Sequence, residues 1–203
     1  STFTHPIFGD QLANTFMMYQ NREPRFYINV LWSGCVWHSG NVNKGVVQLY
    51  TGGNSGYAAT QQNYPATGYL AGKFIDHTKD TSTAGDSTST DVWDFIDWPI
   101  IRYAEILLNY VEALNEYDPG NPDIEKYLNL IRERGGLGPV QSGLSQELMR
   151  EQIRLERRIE LCFEQLRYFD TRRWLIAEQT DGGPFYGMNV DAGNSFTDEA
   201  FYE

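Results

Sequence analysis

The sequence predicts a mainly α protein, a scaffold of paired helices joined to a long loop-rich segment with a few short strands. Three observations predict it. Apolar residues recur at helical spacing in three successive stretches between Pro99 and Leu166. The first two stretches are separated only by Asp118-Pro119-Gly120-Asn121-Pro122, a helix stop and turn. Residues 33–91 are rich in Gly, Ser, Thr, Asn and Tyr and hold no long periodic run.

Taken in order, the chain opens with helical character around Asp10–Tyr19, where Phe8, Leu12, Phe16 and Tyr19 share a face. Arg22-Glu23-Pro24-Arg25 then reads as a turn, its two arginines pinning the loop to the helices. Phe26, Ile28 and Val30 alternate with Tyr27, Asn29 and Leu31, which predicts a short strand. Val46–Tyr50 and Tyr69–Ile75 predict two more extended pieces. Gly52-Gly53-Asn54-Ser55-Gly56 is glycine-rich, but no helix follows it to hold a phosphate, so it reads as a flexible loop. Asp80–Thr90 is low in complexity and reads as an exposed, mobile loop.

The first long helix is predicted over Pro99–Glu116, with Ile100, Ala104, Leu107, Val111 and Leu114 on its inner face. Pro99 suits a helix start because its missing N–H would have no partner there. The second runs over Pro122–Arg134, with Ile124, Tyr127, Leu128 and Ile131 inward, and ends at Gly135-Gly136. Such a pair has the size of one tetratricopeptide-like unit, roughly 34 residues, which needs neighbours to bury its apolar face. The third helix starts after Ser145 as N-cap, with Glu147 in its first turn. Its predicted core stripe is Leu148, Gln152, Leu155, Ile159, Cys162 and Leu166. Glu156, Glu160 and Glu164 form one column at four-residue spacing, and Arg150, Arg154 and Arg158 form another. Like charges at that spacing repel, so each column is expected to face opposite charge, with Arg102, Arg132 and Arg134 as candidate partners from other helices. Arg157 with Glu160 and Glu164 with Arg167 are the local options. Tyr103, Tyr110, Tyr127, Tyr168 and Trp174 are assigned to the core. The stretch after Trp174 is irregular and is expected to lie across the surface.

Several function classes fall away. The formal net charge of −11 argues against nucleic-acid and anionic-membrane partners, which need a basic face. Seven of the sixteen basic residues lie between Arg150 and Arg173, but acids are interleaved with them, the pattern of an ion-pair network. His5, His38 and His77 are not at metal-ligand spacing, and no nucleophile elbow, P-loop or dinucleotide fingerprint occurs. Cys35 and Cys162 allow one bridge at most. Asp94 and Asp97 beside Trp93 and Trp98 carry the chemistry of a glycosidase, but adjacent carboxylates rarely face each other across a sugar. No cofactor, no metal and no enzymatic activity are expected. Loop aromatics suggest a different chemistry. Sugar rings present apolar C–H faces that stack on Trp and Tyr, and their hydroxyls need amide or charged partners. Trp32, Trp37, Tyr50, Tyr57, Tyr64 and Tyr69 fall among Asn41, Asn43, Gln61, Gln62 and Asn63. They are the candidate ligand-binding residues.

Three motifs carry a resemblance. Arg102-Tyr103-Ala104-Glu105 with Asn109-Tyr110-Val111-Glu112-Ala113 resembles the "RyaEvyLnyAEA" helix of the SusD/RagB family of outer-membrane nutrient-binding lipoproteins. Asn129-Leu130-Ile131-Arg132-Glu133-Arg134-Gly135-Gly136-Leu137 is similar to its "iN.vR.RaGl" helix. Glu156-Arg157-Arg158-Ile159-Glu160-Leu161-Cys162-Phe163-Glu164 with Arg167-Tyr168-Phe169-Asp170-Thr171-Arg172-Arg173-Trp174 resembles its "ERriEL.fEg.RyfDlrRw" signature. Arg102, Glu105, Glu112, Arg132, Arg134, Glu156, Arg157, Glu160, Arg167, Asp170 and Arg173 are then the structural motif residues. Gln165 stands where the family commonly has glycine, and Val111 where it often has alanine. Arg22–Leu31 and Tyr69–Ile75 resemble two further family elements.

The resemblance implies a SusD-like fold and a glycan-binding lipoprotein on the extracellular face of a Bacteroidetes-type outer membrane. It implies delivery of nutrient to a SusC-like TonB-dependent transporter. It covers the family's C-terminal part, so the chain is expected to be a piece of a longer protein whose lipid anchor lies outside it. As organisation, residues 1–98 read as the loop-rich, ligand-facing part, 99–174 as the helical core and 175–203 as an irregular end, all within one domain. A peptide-binding RagB-like receptor and a tetratricopeptide-type interaction module are the alternatives.

Overall fold

The computed structural model describes residues 3–4, 11–12, 16–39, 42–57, 64–74, 98–195 and 197–202. The chain forms two compact units. One comprises Ser1–Arg22, Phe26–Asp97 and Pro184–Glu203, and the other Glu23–Arg25 with Trp98–Gly183.

The first unit is built from short pieces. Strands β1 (Phe3–Thr4) and β2 (Gln11–Leu12) pair antiparallel, and a 3₁₀ turn follows at Met17–Tyr19. The helix expected over Asp10–Tyr19 is thus a strand at its start and one tight turn at its end, with residues 13–15 outside the described residues. Helix α1 (Pro24–Asn29) runs directly into β3 (Val30–Trp32). The alternation that predicts a strand from Phe26 is therefore helical as far as Asn29. Pro24 at the first helical position presets the helical φ, and that local signal outweighs an alternation only six residues long. β3 pairs antiparallel with β6 (Tyr69–Ala71), setting Val30 opposite Ala71 and Trp32 opposite Tyr69. β4 (Val36–Ser39) and β5 (Val42–Val46) form a third two-stranded sheet with an irregular register between Val36 and His38. The predicted Val46–Tyr50 strand lies one element too late.

The core of this unit is aromatic. Trp32 stacks on Phe26 with ring centroids 5.2 Å apart, lies 5.4 Å from Tyr19, and meets Tyr27 edge-on at 5.6 Å. Tyr27 donates its hydroxyl to the carbonyl of Tyr19 at 2.8 Å, so the one polar atom of that ring is satisfied inside the core. The C-terminal stretch is exposed over residues 182–187, as expected, but its end turns inward. Phe201 is fully buried in this core, flanked by Met188 and Val190, and Asn189 N–H donates to Phe201 O at 2.9 Å. Burial pushes the Cys35 thiol up to about 12, so it stays protonated.

The helical unit follows its sequence pattern more closely. Helix α2 (Tyr103–Tyr117) packs on α3 (Pro122–Arg134) and on α4 (Gln146–Glu160). Leu107, Leu108 and Val111 meet Ile124, Leu128, Ile131, Met149 and Ile153 in one apolar cluster. Asn121 caps α3 by accepting from Asp123 N–H at 3.0 Å, and Ser145 caps α4 by accepting from Leu148 N–H at 3.3 Å. α2 starts four residues later than Pro99. Arg102 stands at its N-cap in extended conformation, its side chain committed to tertiary ion pairs, and Ile100 and Ile101 are exposed.

On α4 the inner face is Met149, Ile153, Glu156, Arg157 and Glu160. Leu148 and Leu155, placed in the core stripe from sequence, are exposed. The stripe is rotated because three charged side chains, each paired with residues of other elements, occupy the buried face in place of leucines. After Leu161 the chain breaks before α5 (Arg167–Arg173) and α6 (Ala177–Thr180). Phe163 and Gln165 have φ of 65° and 64° in that break. A left-handed backbone costs a non-glycine residue roughly 1–2 kcal/mol, which explains why Gln165 falls at the family's glycine. Gln165→Gly is expected to stabilise the chain by about 0.5–1 kcal/mol after glycine's extra entropy is counted. That is a rise of about 2 °C in a calorimetric melt; an unchanged or lower Tm counts against it.

Candidate functional site

Two places could carry function, the loop aromatics of the first unit and the arginine–carboxylate motifs of the helical unit. Trp32 is 1% exposed and Tyr50 is buried, its ring edge against Phe201. Neither can offer a ring face to a ligand, so both are corrected from candidate contacts to core. A strand-borne or strand-adjacent aromatic in an aromatic-rich segment finds ring partners before it finds solvent. Tyr69 is half-buried, with its hydroxyl 3.3 Å from that of Tyr19. Trp37 lies in β4, and its side chain is outside the described residues, as are Asn41, Gln61, Gln62, Asn63 and both Asp94 and Asp97. Asp80–Thr90 lies outside them as well.

Tyr57 and Tyr64 remain. They are 44% and 42% exposed, with rings edge-on at 5.0 Å and 62°. What holds Tyr57 is the glycine-rich turn before it. Gly52 N–H donates to Tyr57 O at 2.8 Å, Gly53 N–H to Tyr50 O at 2.9 Å, and Ser55 N–H to Gln48 O at 3.0 Å. Asn54 accepts from Gln48 N–H at 2.9 Å and donates to Val46 O at 2.8 Å. Thr51 is tied to Asp191 at 2.6 Å. The segment expected to be a flexible loop is therefore a closed, hydrogen-bonded turn. It fixes the backbone at Tyr57, whose exposed ring meets that of Tyr64 with steeply inclined planes.

In the helical unit the motif residues converge on one another. Glu156 and Glu160 are 2% and 3% exposed. Glu156 accepts from Arg25 at 2.6 Å and Arg132 at 3.1 Å. Glu160 accepts from Arg25 and Arg102, each at 3.0 Å, and from Arg134. Glu164 accepts from Arg102 at 2.6 Å. The partners anticipated for the glutamate column on other helices are the ones found. Arg157 donates to Asp170 at 2.7 Å and Asn109 at 2.6 Å, and Arg167 lies over the Trp174 ring at 6.0 Å. Arg25 is the member with the weakest sequence signal, since it reaches its carboxylates across more than a hundred residues. Glu112 accepts from Arg173 and from the Trp174 indole N–H at 2.7 Å. Burial pushes Glu112 up, but Arg173 and the indole outweigh it and hold the carboxyl below its usual value. Glu105 lines the cleft beside them.

Trp174 is buried and Tyr127 half-buried, whereas Tyr103, Tyr110 and Tyr168 are exposed and do not belong to the core assigned from sequence. Tyr168 lies under the Arg172 guanidinium at 3.4 Å, and Tyr110 meets Tyr127 edge-on at 5.5 Å. Their helices bury the opposite stripe. Among the described residues no group of three or more His, Cys, Asp or Glu could hold a metal, and no helix is long and apolar enough to cross a membrane.

The helical unit is a tetratricopeptide-like scaffold whose signature carboxylates are spent on arginines, and the exposed aromatic pair lies in the other unit. The family profile matches residues 5–203, and the chain belongs to the SusD family. It is 39% identical over 89 residues to SusD-like protein P2 of Formosa agariphila, a match covering 40% of this chain and 18% of that protein. It is similar to the crystal structure of a SusD-like protein from Bacteroides fragilis, at 33% identity and TM-score 0.65, covering 80% of this chain and 30% of that one. A SusD superfamily protein from Bacteroides vulgatus shares the fold, at 22% identity and TM-score 0.55, covering 94% and 34%. The chain thus spans a third or less of the length of the first relatives it matches.

Proposed function

We propose that this chain binds oligosaccharide by stacking sugar rings on Tyr57 and Tyr64, and that it contributes to nutrient capture at the extracellular face of the outer membrane. The observation that carries the reading is the exposed pair of tyrosine rings, with Tyr57 fixed at the end of a hydrogen-bonded turn and Tyr64 edge-on beside it. A rigid aromatic loses little entropy on binding, which favours contact with a C–H-rich face. No covalent step is needed, and the protein acts as a binder, not an enzyme. Delivery to a SusC-like TonB-dependent transporter and attachment through a lipid anchor outside this chain belong to the same proposal and are supported by family membership.

The test is native affinity electrophoresis against plant, fungal and host polysaccharides. One of them is expected to retard the chain. Tyr57→Ala with Tyr64→Ala is expected to weaken binding about 30- to 100-fold, at about 1–1.4 kcal/mol for each ring lost. Because both rings are half-exposed, the melting temperature should hold. Full retardation of the double variant, or none of the parent by any polysaccharide, counts against the reading.

A further inference from the structure

The helical unit contains a cleft of about 580 Å³ between α2 and α5 that the tyrosine pair does not use. Its volume lies within the roughly 300–1,000 Å³ of small-ligand sites. The floor is a continuous row of ion pairs. Arg157 donates to Asp170 at 2.7 Å, and Arg173 donates to Asp170 at 3.0 Å and to Glu112 at 2.9 Å. Arg157 and Asp170 are buried, so this floor is rigid before any ligand arrives. Phe169 is 64% exposed in the wall, beside the exposed Asn109 and half-buried Glu105.

The charge arrangement selects the ligand chemistry. An anion entering the cleft would have to displace Asp170 or Glu112 from their arginines. A cation would have to displace those arginines from their carboxylates. Either exchange replaces one ion pair by another of equal charge and gains little. A neutral ligand with many hydroxyls faces no such exchange. It can use what the ion pairs leave over. Asn109 accepts from Arg157 through Oδ1 at 2.6 Å, which leaves its amide NH₂ as a donor, and Glu105 supplies carboxylate acceptors. Phe169 supplies the ring face that C–H groups stack on.

We infer that this cleft is a second saccharide subsite, with Phe169 as its platform and Asn109 and Glu105 as its hydroxyl partners. The inference rests on the glycan-binding reading above and adds a site in a different unit. It predicts that Phe169→Ala weakens binding of the polysaccharide that retards the parent chain by threefold or more, with an unchanged Tm because the ring is exposed. Phe169→Trp should restore or tighten binding. In a chain labelled at its phenylalanine rings, the Phe169 resonance, identified by its loss in Phe169→Ala, should shift when an oligosaccharide of that polysaccharide is added. Unchanged retardation of Phe169→Ala, with no ring shift, overturns the subsite and leaves the Tyr57–Tyr64 reading standing. Retardation lost in Tyr57→Ala/Tyr64→Ala but not in Phe169→Ala likewise overturns the subsite alone. A ring shift produced by a lysine- and arginine-rich peptide, and by no saccharide, overturns the ligand class. No binding of any polysaccharide by the parent chain overturns both proposals together.

Discussion

Glu160→Gln is expected to cost about 3–5 kcal/mol of stability, the size found when one partner is removed from a buried ion-pair cluster. Glu160 is nearly inaccessible, and three guanidiniums, those of Arg25, Arg102 and Arg134, converge on its two oxygens. An amide keeps the shape but removes the charge and turns an NH₂ toward at least one guanidinium. Arg25 would retain Glu156 and Glu23, and Arg102 would retain Glu164, so the loss falls at the low end of the range. For a chain of this length that is a fall of about 6–12 °C in Tm. Arg150 and Glu116 form an equally short pair at 2.6 Å, but in a far more exposed position, and Glu116→Gln should leave Tm within about 2 °C. Equal effects of the two substitutions would show that burial does not set the strength of this cluster. The pH dependence supplies a second readout. Burial pushes the Glu160 carboxyl up, but Arg134, Arg25 and Arg102 outweigh it, so its folded value lies below the usual 4.5. The unfolded chain then takes up the proton first. Stability from Glu160 is complete above about pH 4.5 and is lost as pH falls through the lower folded value. The parent Tm should therefore drop more steeply below pH 4.5 than that of Glu160→Gln.

That cluster also shows what the sequence can and cannot reveal. Repulsion within the glutamate column implies partners on other elements, and Arg102, Arg132 and Arg134 are legible because they sit in helices adjacent in sequence. The consequence for α4 is less visible. Periodicity treats charge as the outer face and so turns Leu148 and Leu155 inward, while Glu156, Arg157 and Glu160 take the buried face as a paired set. The predicted starts at Pro122, where Asn121 turns out to cap the helix, and after the Ser145 N-cap agree to the residue. Pro99, a start signal with no capping side chain behind it, does not. In the loop-rich unit, aromatic content identifies candidates but not their exposure. Trp32 and Tyr57 look alike in sequence, and only the three-dimensional ring neighbours separate core from surface. The Phe169 cleft has no separate signal, because its residues read as family motif.

Gly56→Ala is expected to be the most damaging small substitution in the loop-rich unit, and it links stability to binding. A Cβ on Gly56 would lie 1.9 Å from the carbonyl oxygen of Tyr50 and 2.7 Å from its carbon. Both are backbone atoms, so no side-chain rotation relieves the clash. The 50–57 turn must open, at a cost of about 2–3 kcal/mol by analogy with overpacked cores. Opening it breaks the bonds from Gly53 N–H to Tyr50 O and from Gly52 N–H to Tyr57 O, and Tyr57 then loses its fixed orientation beside Tyr64. Polysaccharide retardation should fall about tenfold, as for loss of one ring. Gly52→Ala provides the contrast within the same turn. Gly52 has φ of 84° and open space where its Cβ would lie, so that substitution carries only the left-handed backbone cost, about 1 kcal/mol, and leaves binding intact. If Gly56→Ala melts and binds like Gly52→Ala, the turn is not what holds the tyrosine pair. If Gly56→Ala loses stability yet binds as the parent does, Tyr57 is not part of the saccharide surface.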